Sequence, residues 1–273
     1  ALHCDLSDGG RMNPSSESGR PPVLELRGVS AGTSRDPEAV LAADVNWTVA
    51  AGDFWAVAGL QGAGKSDFLM LAAGLLPPRT GEHRLFGEPL AGLGESRLPQ
   101  RLRVGMVFDG GQLLNHLTVY DNVALPARYH RQLPPAEIEQ AVQTMLEATG
   151  LLPWASNRPG TVPRAWRKRA GLARALMLRP ELLLLDCPLS GLDGRHVRWW
   201  LHWLAALARG HALLEGRPLT LVVTGEDPWV WRGHARQFAL LDDRQFLVLG
   251  DWAQVEQSAH PTVRALLAGP RAG

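Results

Sequence analysis

Eight consecutive residues, Gly59-Leu60-Gln61-Gly62-Ala63-Gly64-Lys65-Ser66, have the types and spacing of a phosphate cradle. They follow the apolar run Phe54-Trp55-Ala56-Val57-Ala58 and precede a helical pattern from Asp67 to Ala73, so a glycine loop joins a strand to a helix. Successive backbone N–H groups in such a loop form an anion-binding concavity, and glycines let it wrap a phosphate without Cβ collisions. The following helix points its positive N-terminal end at the same anion. Lys65 is expected to reach the β- and γ-phosphates of a nucleotide, and the Ser66 hydroxyl to ligate Mg²⁺. The competing reading is a glycine-rich strand-to-helix turn with a chance Lys-Ser.

A second group belongs beside the first. Leu182-Leu183-Leu184-Leu185 is a short, wholly apolar run after a proline, the pattern of a buried parallel strand, and it ends in Asp186. An Asp at the end of such a strand holds Mg²⁺ through water in phosphate-loop proteins. The alternative is an Asp that caps the next turn. Cys187 follows it, and a buried thiol is a poor general base that behaves as a small hydrophobe.

These groups need elements to position them. Val23 to Val29 and Asp44 to Val49 predict two strands joined by a polar loop, and Phe54 to Ala58 the first core strand. Residues 74–81, with two prolines and two glycines, read as a turn, and residues 98–108 as a short helix and then a strand from Arg103. From Leu117 the pattern is helical. Val119, Val123 and Leu125 start one stripe, a second helix runs from Pro134 to Thr149 and stops at Gly150, and a third spans Ala165 to Leu178. A helix over 194–209, a buried strand from Leu219 to Thr224, a hairpin (Phe238–Leu241 and Gln245–Leu249) and short helical pieces complete the chain. Alternating strands and helices predict an α/β fold, a mainly parallel sheet with helices on both faces. The helical block, about 117–178, interrupts the alternation as a subdomain.

Composition bounds the function. At 273 residues, 45% apolar and 20% charged, the chain is an ordinary globular protein, and a formal charge of +1 argues against broad nucleic-acid binding. Two cysteines, Cys4 and Cys187, make no disulfide framework, which predicts a reducing compartment. No apolar run approaches the ~18 residues of a membrane span, and no signal peptide is visible. Residues 1–22, rich in Ser, Gly, Pro and Arg, read as a flexible tail, within which Met12 opens a reading frame of its own.

Taken in order, the motifs resemble those of ABC transporter ATP-binding subunits over about residues 23–250. Gly59–Ser66 is similar to the family's P-loop and Leu182–Asp186 to its Walker B strand. Ser190-Gly191-Leu192-Asp193 looks like the D-loop. Arg167-Lys168-Arg169-Ala170-Gly171-Leu172-Ala173-Arg174-Ala175-Leu176 looks like the helix after the signature motif. Val104-Gly105-Met106-Val107-Phe108 and Leu117-Thr118-Val119-Tyr120-Asp121-Asn122-Val123 look like the Q-loop region, most similar to that of the Mla lipid-trafficking branch. The resemblance implies the P-loop NTPase fold of ABC ATPases, a mainly parallel core with an antiparallel β part and an inserted helical subdomain. It implies one ATP-binding domain over 23–250 and a short C-terminal extension over 251–273. ATP and Mg²⁺ are the implied cofactors, with Ser66 and Asp186 as metal residues. Membrane permease subunits and a second ABC ATP-binding subunit are the implied partners, with no nucleic acid. The implied place is cytoplasmic, peripheral on the inner face of the plasma membrane.

The chain also departs from that family. Asp109 stands at the Q-loop glutamine, where it could still ligate Mg²⁺; Gln112 is three residues too late. Val162-Pro163-Arg164-Ala165-Trp166 replaces the signature Leu-Ser-Gly-Gly-Gln, whose Ser and glycines close over the γ-phosphate held by the opposite subunit. Cys187 replaces the general-base Glu and Gly225 the switch His, and no aromatic lies between Val23 and Asn46 to stack on adenine. These departures predict nucleotide binding with weak or absent hydrolysis, either in a transporter or in a non-hydrolysing scaffold. Elsewhere, Trp199, Trp200 and Trp203 are expected to pack in the core rather than form an exposed contact stripe. Arg164, Arg167, Lys168 and Arg169 are expected to form a solvated basic face near the dimer interface.

Overall fold

A computed structural model describes residues 22–36, 38–90, 98–131 and 133–268. The predicted tail, 1–22, lies outside these residues except for Pro22, which begins the first strand. Strands β1 (Pro22–Gly32), β2 (Val40–Ala50), β4 (Thr80–Leu85) and β5 (Glu88–Pro89) form an antiparallel sheet in the order β2-β1-β4-β5. A second sheet has the order β10-β9-β3-β8-β7-β6, from β3 (Phe54–Ala58), β6 (Val104–Val107), β7 (Leu182–Leu185), β8 (Thr220–Gly225), β9 (Gln237–Asp242) and β10 (Gln245–Gly250). All its pairings are parallel except the β9–β10 hairpin. The expected turn over 74–81 ends earlier than predicted, because Thr80 already belongs to β4, and β4 and β5 carry too little apolar alternation to be read as strands.

Period-two alternation explains both faces of the parallel sheet. Phe54, Ala56, Leu183, Leu185, Leu221, Val223, Phe238 and Leu240 enter one hydrophobic cluster, whereas Trp55, Val57, Leu182, Leu184, Val222, Ala239 and Leu241 enter the other. The second cluster is closed by helix α1 (Lys65–Ala72) and the antiparallel sheet, through Leu24, Leu26, Trp47 and Phe68. The antiparallel β part that the resemblance implied therefore lies on this face beside α1, and the long strands β1 and β2 cover what crossover helices would otherwise cover.

The first cluster is closed by helices. Helix α2 (Leu98–Leu102) precedes β6 and buries nothing. The helical block follows as α3 (Val119–His130), α4 (Pro135–Thr149) and α5 (Arg164–Leu176). Thr118 caps α3 through Asp121 N–H, and Gly150 ends α4 in the left-handed conformation (φ 71°) that glycine adopts most easily. In α4, Ile138, Val142, Met145 and Leu146 face the core as their spacing predicts. Helix α6 (Gly194–Arg209), capped by Asp193, buries Trp200 and Trp203, with Trp199 packed against them, as expected of core residues. Helices α7 (Trp252–Gln257) and α8 (Pro261–Ala268) place Val255 and Val263 in the same cluster, so the described part of 251–273 packs against it. Among the described residues no helix is long and apolar enough to cross a membrane.

Candidate functional site

Parallel strands bring their C-terminal ends to one edge, which is where such sheets hold ligands. In register, Ala58 pairs with Gly225, Leu185 with Val223 and Val107 with Leu185. The loop after β3, Asp186 after β7 and Asp109 after β6 therefore share that edge. Gly59 N–H donates to Gly225 O (3.1 Å), tying the loop to the end of β8, and a Cβ on Gly59 would stand 2.8 Å from Leu241 O. Gly64 caps α1 at φ 85° with no side-chain acceptor, so the N–H groups of the first helical turn stay unbonded within the helix and free for an anion. Lys65 lies 7% exposed, and its ammonium donates to the loop's own Gly59 O (2.7 Å) and Leu60 O (2.8 Å).

Ser66 Oγ donates to Asp186 Oδ2 at 2.6 Å, across 120 residues. Thr224 Oγ1 donates to Asp186 Oδ1 (3.1 Å) and accepts from Cys187 N–H (3.0 Å). A hydroxyl and a carboxylate, both hard oxygen donors, thus meet at the foot of the loop, a donor set that suits Mg²⁺. Thr224 was not predicted as a site residue; its only sequence signal is its place at the end of an apolar strand.

The altered positions are placed as follows. Cys187 has φ 43° and is half-buried; burial pushes its thiol up, and the Asp186 charge adds to that. Gly225 ends β8 beside it. A cavity of about 380 Å³ opens there, lined by Cys187, Leu189, Thr224, Gly225, Glu226 and Trp231. Asp109 is engaged by two cations: Arg164 Nη2 donates to both its carboxylate oxygens (2.8 and 2.7 Å), and Lys168 Nζ lies 2.8 Å from Oδ1. Burial would raise this carboxyl, but the Lys168 and Arg164 cations hold it below its ordinary value. Gln112 uses its backbone oxygen for Arg174 (3.0 Å).

In the segment at the signature position, Val162 is buried, and Pro163 caps α5 with no side-chain acceptor. Trp166 turns toward α6, edge-on to His196 (5.5 Å) and under the Arg169 guanidinium (4.4 Å), which lies also over Trp199 (3.8 Å). This corrects the solvated basic face. Arg164 is exposed, but Lys168 (1%) and Arg169 (5%) are buried, because α5 packs against both α3 and the β7 turn. Burial pushes Arg169 down to about 10.

Comparison with known proteins agrees with this arrangement. The ABC transporter family model matches residues 42–190. Over 227 residues the chain is 31% identical to the intermembrane phospholipid transport system ATP-binding protein MlaF of Escherichia coli K12, covering 83% of this chain and 82% of that one. It is also 31% identical, over 261 residues, to the probable ribonucleotide transport ATP-binding protein mkl of Mycobacterium leprae, covering 93% and 72% respectively. Among solved structures, a dimeric ATP-binding cassette in a post-hydrolysis state with ADP and Pi superposes with a TM-score of 0.72 and 25% identity, covering 81% of this chain and 95% of that one.

Proposed function

The chain belongs to the ABC transporter family as an ATP-binding subunit, and from that premise we propose that it holds Mg-ATP while hydrolysing it weakly or not at all. The observation that carries this reading lies at one strand end. Ser66 Oγ meets Asp186 Oδ2 at 2.6 Å, two oxygen donors that would suit Mg²⁺, and the residue after Asp186 is a thiol whose pKa burial raises. The loop N–H groups and Lys65 would hold the β- and γ-phosphates, and Ser66 and Asp186 the metal, which neutralises phosphate charge when bound. No side chain at Cys187 or Gly225 would accept a proton from water or contact the terminal phosphate. Loss of a general base alone costs roughly 10²–10⁴ in rate.

Similarity to MlaF supports a lipid-transport system as the setting, with a membrane permease and a second ATP-binding subunit as partners. The subunit would then sit on the cytoplasmic face of the membrane. A second reading, a non-hydrolysing scaffold gated by nucleotide, is favoured by the ion pairs that engage Asp109. Equilibrium ATP binding and turnover by the full chain, with Lys65→Ala as control, test the proposal. Binding with a Kd on the order of micromolar (about −8 kcal/mol), lost in the variant, with turnover at background, is the expected result. Turnover abolished by Lys65→Ala refutes the loss of hydrolysis, and a wild-type chain that binds no ATP refutes the whole reading. Co-purification of a permease with its neighbours expressed separates the transporter from the scaffold.

A further inference from the structure

Lys168 is a buried ammonium to which the reading above assigns no task. One turn into α5, it donates to Cys187 O and Ser190 O (each 2.8 Å) and to Pro188 O (3.3 Å). All three acceptors lie in the turn that leaves Asp186. That turn starts at Cys187 with φ 43°, a conformation that a residue bearing a Cβ keeps only when its surroundings impose it. Thr224 Oγ1 holds the N–H side of the turn and Lys168 the carbonyl side.

The counter-ion of Lys168 is Asp109, whose two oxygens are also gripped by Arg164. The backbone after Asp109 is seated on the same helix. Arg174 donates to Gly111 O and Gln112 O (3.0 Å each), and a Cβ on Gly171 would stand 2.8 Å from Gly111 Cα. A continuous chain of contacts thus runs from Arg164 through Asp109 and Lys168 to the Cys187–Ser190 turn, and from there through Asp186 to Ser66. Removing the ammonium leaves the carbonyls of Cys187, Pro188 and Ser190 without this donor and leaves Asp109 to Arg164 alone.

We propose that Lys168 is a positioning residue for the metal–nucleotide site, acting through the Cys187–Ser190 turn on Asp186, with Asp109 as its counter-ion rather than a metal ligand and Arg164 as the latch on Asp109. The inference rests on the reading of Ser66 and Asp186 as the Mg²⁺ pair.

The test is equilibrium ATP binding to the full chain, with Mg²⁺ and with EDTA, in wild type, Lys168→Met, Lys168→Arg, Asp109→Asn and Arg164→Ala. Residues that orient metal ligands typically contribute about 10–100-fold to metal affinity. Lys168→Met is therefore expected to weaken Mg-ATP binding at least about tenfold and metal-free binding by less than about threefold. Lys168→Arg restores part of the loss, and Arg164→Ala, at an exposed residue, shows a smaller loss that again needs Mg²⁺. Equal losses with and without Mg²⁺ would mean a merely structural lysine and overturn the inference. So would a larger Mg²⁺-dependent loss in Asp109→Asn than in Lys168→Met, the mark of a metal ligand. Should Lys168→Met not fold, Arg164→Ala decides, and unchanged Mg-ATP affinity there overturns the proposal. Lys65-dependent binding that Mg²⁺ does not strengthen overturns this inference alone, whereas absence of Lys65-dependent binding removes the functional reading beneath it.

Discussion

His83 makes the stability of this protein acid-sensitive by a calculable amount. It sits in β4 opposite Leu26, 3% exposed, with neither ring nitrogen in a well-formed hydrogen bond. Burial pushes its pKa down from 6.5 to about 4, against the opposing influence of the Ala72 backbone at the end of α1. The folded protein therefore keeps this imidazole neutral where the unfolded chain protonates it. Stability from this group is complete above pH 6.5, falls as the pH drops, and changes no further below about 4. At about 1.4 kcal/mol per pH unit the full interval corresponds to about 3 kcal/mol, of which about 2 kcal/mol is gone by pH 5. For a chain of this size that lowers Tm by roughly 4–8 °C. Thermal unfolding of wild type and His83→Leu at pH 7.5 and pH 5 isolates the effect, because every other titrating group is common to both. The wild type should lose those extra degrees on acidification. Equal losses in the two proteins would contradict a buried neutral imidazole, and would mean that water or a rotated ring solvates it.

Two further predictions bear on the site. Cys187→Glu with Gly225→His should raise ATP turnover at least about tenfold over wild type, since the adjoining cavity has room for both side chains and a positioned base contributes roughly 10²–10⁴; turnover that stays at background would place the block in the Val162–Trp166 segment instead. Gly111→Ala should destabilise the fold by about 2–4 kcal/mol in chemical unfolding, because φ is 82° there and the new Cβ would collide with the Arg167 carbonyl; a change under about 0.5 kcal/mol would show that the Asp109–Gln112 turn is not seated on α5 as described.

Much of the candidate site was legible because its residues are contiguous in the chain. A phosphate loop is a contiguous run whose glycines and Lys-Ser announce themselves, and a strand buried on both faces reads as unbroken leucine that ends in Asp186. The antiparallel sheet was only half legible: β1 and β2 alternate strongly, whereas the two residues of β5 carry no pattern at all. The basic run Arg164–Arg169 misled for a related reason. Charge in sequence says nothing about which cation a carboxylate or an aromatic ring will meet, and Lys168 and Arg169 found theirs at Asp109, Trp166 and Trp199.

The amino-acid order alone carries the glycine loop Gly59–Ser66, the strand–helix alternation and the residue types at positions 109, 187 and 225. What those residues touch depends on the tertiary packing. Asp109 lies 55 residues from Arg164 in the chain and 2.7 Å from it in the fold. Contacts between a strand end, a helix start and a turn depend on how the sheet closes and α5 packs, and no local pattern encodes that. A carboxylate free to bind metal in the sequence is, in the fold, already held by two cations.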